Sequence, residues 1–135
     1  MYVARLILCI GVLALTACTT GRQPISKEAI EDFIFANQLE EQKSLRTGRS
    51  DSWRPLNSQY ALYTARRQAY LLEFDRFCRS LEDNFEIKPD LRSDSNKLYA
   101  RFDTVRGCFI DHIYAVTDAQ ADELKTLGQA PGDNN

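Results

Sequence analysis

QYALYTARRQAYLLEF, residues 59–74, decides the fold. Its first half sets Tyr60, Leu62 and Thr64 on one side against Ala61 and Tyr63 on the other. Its second half sets Tyr70, Leu72 and Phe74 against Ala69, Leu71 and Glu73. A period of two residues is the mark of a β-strand. Only Ala65-Arg66-Arg67 separates the two runs, so they pair as an antiparallel hairpin.

Downstream, KLYARFDTV (97–105) repeats the alternation, with Leu98, Ala100 and Phe102 inward and Lys97, Arg101 and Asp103 outward. CFIDHIYAV (108–116) pairs with it across Arg106-Gly107. FEIK (85–88) reads as a short strand, and KPDLRSDSN (88–96) as a loop by its Pro-Asp and Ser-Asp-Ser-Asn content. Upstream, residues 43–58 (KSLRTGRSDSWRPLNS) read as irregular, pinned to the core by Trp53 and Leu56.

Helices close both ends. The first is expected from about Ser26 to Glu41. Ser26 is its N-cap, and Glu28, Glu31 and Asp32 lie near the positive end of its dipole. Ile30, Phe33 and Ile34 form its apolar stripe, and Phe35 lies off it. Thr117 and Gln120 form a capping box that opens a second helix, ending near Leu127 with Gly128 as the stop. The expected fold is α+β: an N-terminal helix, an antiparallel sheet of about five strands and a short C-terminal helix. It occupies residues 26–128, and residues 129–135 form a disordered tail.

The first residues carry an address. LILCIGVLAL (6–15) follows Arg5 and is too short to span a bilayer, which takes roughly 20 residues. It has the length of a secretory signal core. Leu15-Thr16-Ala17-Cys18 matches the bacterial lipobox, in which the Cys thiol receives diacylglycerol and becomes the acylated N-terminus. Residues 1–17 are then the leader and 18–25 a lipidated tether. A plain signal peptide, or a core helix with a chance Cys, is the rival reading. Thr19 rather than Asp after the Cys favours the outer membrane, with the domain facing the periplasm from the inner leaflet. Two or three acyl chains anchor stably where one does not.

Two cysteines remain for the domain, Cys78 and Cys108, so one connectivity exists. An oxidising periplasm favours a disulfide. Closing a loop of roughly 30 residues restricts the unfolded chain by about 3.5 kcal/mol in the entropy model. A redox or metal pair is the alternative, without a C-x-x-C and with a single His in the chain.

The formal net charge is −2, which offers no bulk field for nucleic acid. Residues 43–110 are net basic between acidic flanks. That pattern suits either an anionic envelope polymer or internal neutralisation.

DSWRPL, AYLLEF, Cys78, ARFDTVRGC and Ile110, in that order, resemble a family of uncharacterised short Gram-negative envelope lipoproteins. The resemblance covers about residues 50–117. It departs in the short link between Val105 and Cys108, and in Arg79 where members often carry Pro. It implies a lipoprotein with a disulfide and a domain of unknown function, and it adds no activity.

The chemical motifs are few. Asp111 and His112 are neighbours on a strand, where side chains alternate, so no dyad is expected. No Gly-x-Ser-x-Gly elbow or phosphate-cradling Gly loop is present. Glu82, Asp83 and Glu86 are either a cation site or, as we read them, a solvated loop. Tyr63 and Tyr99 with Arg66, Arg67 and Arg101 form either core filling or an exposed cation–π interaction surface. No catalytic residue, metal ligand or cofactor is expected. The reading is a non-enzymatic accessory module, held to the membrane through Cys18, binding an envelope protein or anionic polymer. The alternative is an inhibitor of a cell-wall hydrolase such as lysozyme, acting through Lys88 to Asn96 or Ala65 to Arg67.

Overall fold

The computed structural model describes residues 24–48, 51–81, 91–92 and 96–127. The leader, Cys18, the 85–88 strand, the acidic trio Glu82, Asp83 and Glu86, Gly128 and the tail lie outside the described residues.

The 59–74 stretch forms the expected hairpin. β4 (Tyr60–Ala65) and β5 (Gln68–Phe74) pair from Ala65↔Gln68 to Tyr60↔Glu73. The turn is only Arg66-Arg67, with φ of 51° and 68°. A two-residue hairpin turn of type I′ needs left-handed backbone at both positions, and Asn-Gly is the usual solution. Here two arginines adopt it.

β5 pairs on its other side with β9 (Cys108–Val116), the longest strand among the described residues. Along the outer edge of β9 lie β1 (Glu41–Gln42) opposite residues 113–114 and β8 (Thr104–Val105) opposite residues 108–109. β6 (Leu91–Arg92) pairs with β8, so part of the expected 88–96 loop is strand. β3 (Ser52–Pro55) adds to β4 and forms the opposite edge of this seven-stranded antiparallel sheet. A separate two-stranded sheet joins β2 (Ser44–Arg46) to β7 (Lys97–Tyr99). Residues 43–58 are therefore not simply irregular. They hold two strands, while Trp53 and Leu56 do pack against the core as expected.

Both faces of the sheet are covered. Tyr60, Leu62, Ala69, Leu71 and Val116 face the helices and meet Ile30, Phe33, Ala121 and Leu124. Ala61, Tyr63, Leu72, Phe74, Ile110 and Ile113 face the other way and meet Leu45, Leu98, Leu81, Val105 and Cys78.

The helices form where their caps dictate. α1 (Lys27–Ala36) begins with the Ala29 N–H donating to Ser26 Oγ at 3.2 Å. It stops well before Glu41. Gln38 turns left-handed at φ 48°, its N–H donates to the Phe35 carbonyl, and the Leu39 N–H donates to the Ile34 carbonyl, both at 3.1 Å. This is a Schellman stop with Gln where Gly is usual, and it frees residues 41–42 to join β9. α2 (Asp118–Thr126) opens on the expected capping box of Thr117 and Gln120.

The 97–105 strand is broken. The chain bends after Tyr99: the Asp103 carboxylate accepts from the Tyr99 N–H at 2.7 Å, and Arg101 turns left-handed at φ 67°. Phe102, expected inward, sits on this bend and is 79% exposed.

Candidate functional site

Cys78 lies just beyond β5, where its N–H donates to the Ser58 carbonyl at 2.8 Å. Cys108 opens β9. The two form the expected disulfide, with 6.0 Å between Cα atoms. A single 3₁₀ turn (Arg79–Leu81) follows Cys78 and buries Leu81 beneath it.

Cys78 is buried and Cys108 partly buried, and each has an exposed phenylalanine next to it in sequence. Phe77 is 58% exposed and Phe109 is 56% exposed. The Asp75 N–H donates to the Phe109 carbonyl at 3.2 Å, which draws the two segments together. Thr104 pairs with Phe109 and the Arg101 N–H donates to the Ile110 carbonyl at 2.6 Å, which brings the Phe102 bend to the same end. Three exposed rings thus sit on three segments that meet at one end of the sheet. Arg76, Arg79, Arg101 and Arg106 flank them in sequence. Isolated exposed rings are ordinary, whereas large contiguous apolar patches are a common feature of interaction sites. Phe102 was hidden in the sequence by an alternation that runs on through the bend. Phe77 and Phe109 were missed by the sequence reading, and their places next to Cys78 and Cys108 are the one signal that points to them.

The chain also enters the domain here. The Ile25 N–H donates to the Leu56 carbonyl at 3.0 Å, and the Asn57 side chain donates to the Ile25 carbonyl at 2.8 Å. Ser58, next in sequence, is the residue bonded to Cys78.

The interaction surface expected from sequence does not assemble. Tyr63 is fully buried, because β4 is covered on both faces, and its hydroxyl donates to the Asp51 carboxylate. That carboxylate also accepts from the Gly48 N–H at 2.9 Å. Burial, and then the bond to Asp51, push the Tyr63 phenol far above its usual value. Arg66 and Arg67 are exposed at the far end of the hairpin, where Arg66 Nε donates to the Thr47 carbonyl at 3.2 Å. Tyr99 and Arg101 lie on the bend beside β9, and Arg101 pairs with Asp111 at 3.7 Å. The five residues occupy three places.

One polar cluster does form on the helix-facing side. Glu73 pairs with His112 but Phe74 pairs with Ile110, so Asp111 is an extra residue in a β-bulge. A bulge interrupts the alternation and sets two successive side chains on one face. The expectation that Asp111 and His112 point apart is therefore corrected. His112 Nε2 lies 3.5 Å from Asp111 and Nδ1 lies 2.9 Å from Glu41. The imidazole stacks on Tyr114, whose hydroxyl donates to Glu73 at 3.5 Å. Burial first, then Glu73, push Tyr114 up to about 12, and the same causes push Tyr60 higher still. Both imidazole nitrogens face carboxylates and the phenols stay protonated. The cluster fastens β1 to β9. Among the described residues no group of three or more His, Cys, Asp or Glu side chains is placed to hold a metal ion.

The class defined by these features is a small disulfide-stapled α+β domain whose distinctive surface is a set of exposed rings. The chain belongs to a family of unknown function (DUF6491), which matches residues 1–130. Neither a curated protein nor a solved structure matches the sequence.

Proposed function

We propose that the protein is a lipid-anchored module of the bacterial cell envelope that works by binding, without catalysing a reaction. In this reading Cys18 carries the lipid, and Thr19 directs the chain to the outer membrane, where the domain faces the periplasm. The observation that carries the reading is the Cys78–Cys108 bridge in a chain whose leader ends in Leu-Thr-Ala-Cys. Disulfides persist in oxidising compartments such as the periplasm, and the leader would deliver the chain there. The family match includes residues 1–23. The partner is an envelope protein or an anionic envelope polymer, met through arginine and aromatic side chains. Metabolic labelling with a fatty acid tests the anchor. The wild type should take up label and fractionate with the outer membrane, and Cys18→Ser should do neither. An unlabelled wild type, or label retained in Cys18→Ser, would overturn it.

A further inference from the structure

We infer that the disulfide end of the domain rests on the phospholipid bilayer that holds the chain's own lipid, with Phe77, Phe102 and Phe109 entering the headgroup layer. This rests on the anchor at Cys18 proposed above. Three observations carry it.

The first is the rings themselves, 58%, 79% and 56% exposed, on segments joined by the disulfide, by the pairing of residues 104–105 with 108–109 and by the backbone bonds of Arg101 and Asp103 to Ile110. Amphipathic surfaces hold to a bilayer by setting apolar side chains at the boundary of headgroup and acyl chain.

The second is the place where the tether enters. Ile25 is bonded to Leu56 and Asn57, and Ser58 is bonded to Cys78. Cys18 precedes Pro24 by six residues, a reach of at most about 20 Å. A lipid on Cys18 therefore keeps this end of the domain close to the membrane. The opposite end is turned away: the C-cap of α1, Asn37, accepts from Gln120 at the start of α2, and α2 follows Val116, which pairs with Ala69 beside the Arg66-Arg67 turn.

The third is charge. Arg76, Arg79, Arg101 and Arg106 belong to the same segments as the rings. Asp75 pairs with Arg76, Asp111 with Arg101, and Asp103 is engaged by the Tyr99 N–H. Arginine can lay its stem along apolar surface and hold its guanidinium at headgroup depth, where phosphates accept from it.

The test uses the full acylated chain reconstituted in vesicles of phosphatidylethanolamine and phosphatidylglycerol, with and without brominated acyl chains. Phe102→Trp and Phe109→Trp place reporters on the surface, and Phe35→Trp places one on α1, where Phe35 is 85% exposed. Bromolipid should quench the first two reporters at least two-fold and leave the Phe35→Trp reporter near the level of native Trp53. No quenching at either ring position, or equal quenching at all three positions, overturns the inference. A protein partner at this surface would give that unquenched result. Fatty-acid labelling of the same material reports the anchor separately. A labelled chain without quenching removes the inference and leaves the anchor. An unlabelled chain removes the anchor and with it the inference, which needs the bilayer that holds that lipid.

Discussion

The two faces of the sheet are covered by different means. The helix side is closed by α1 and α2, each continuous in sequence and each started by a local cap. The other side is closed by pieces distant in the chain: Leu45 from β2, Leu98 from β7, Leu81 beside Cys78, and Val105. The first cover is written in short-range signals. The second exists only once the sheet and disulfide have brought its pieces together. Removing a local signal should therefore loosen one helix, whereas cutting the bridge should release a whole face.

The largest expected effect comes from the sheet that both faces share. Leu72→Asp should prevent folding, because an unpaired carboxylate would be buried against Tyr63 and Phe74. Its circular dichroism should show loss of both helix and strand. Next comes the bridge. Cys78→Ala and Cys108→Ala should each cost about 2–5 kcal/mol in urea unfolding, and the double variant little more than either, since they share one interaction. Hydrogen exchange should rise first at residues 97–105, with the α1 and α2 amides protected longer. Equal loss on both faces would refute the contrast.

Tyr63 sharpens it at a smaller scale. Tyr63→Phe should cost about 1–3 kcal/mol at neutral pH, because Asp51 loses a donor. The phenols also set an alkaline limit. Their folded-state values are raised above the ordinary 10.0, to about 12 for Tyr114 and in the same direction for Tyr63. Such groups stabilise fully below pH 10 and lose that contribution as pH climbs through the raised value. Stability should decline above about pH 10, and less steeply in Tyr63→Phe. A flat alkaline profile in the wild type would contradict this.

Smaller again is the hairpin turn. Arg66→Asn with Arg67→Gly should raise stability by about 1 kcal/mol, since Asn and Gly accept the left-handed backbone that arginine resists. The smallest effect is Phe102→Asp, expected within about 0.5 kcal/mol of wild type, as for most exposed positions. Marked destabilisation there would restore the inward reading of the 97–105 alternation.

Much of this was legible. The hairpin, the Ser26 cap, the Thr117–Gln120 capping box and the single connectivity of Cys78 and Cys108 follow from local residue types. β2 and β3 did not, because strands of three and four residues flanked by Gly48 and Ser58 carry too short a period to register. The bulge at Asp111 could not be read, since alternation assumes one residue per step. Tyr63 was open to misplacement for a different reason. Tyr60 to Ala65 is nearly all apolar, and such a run signals burial on both faces rather than one exposed ring. The exposed rings were not read: Phe77 and Phe109 drew no assignment, and Phe102 was placed inward because its bend is invisible to an alternating pattern.

The edge strand β3 has a further consequence. It is four residues long and ends in Pro55, which has no N–H to offer a neighbour. An open edge is where one sheet recruits another and where fibrils begin. A proline at the end of so short a margin leaves an arriving strand little ladder to bond. Many copies held side by side at high density would therefore remain individual molecules along this margin.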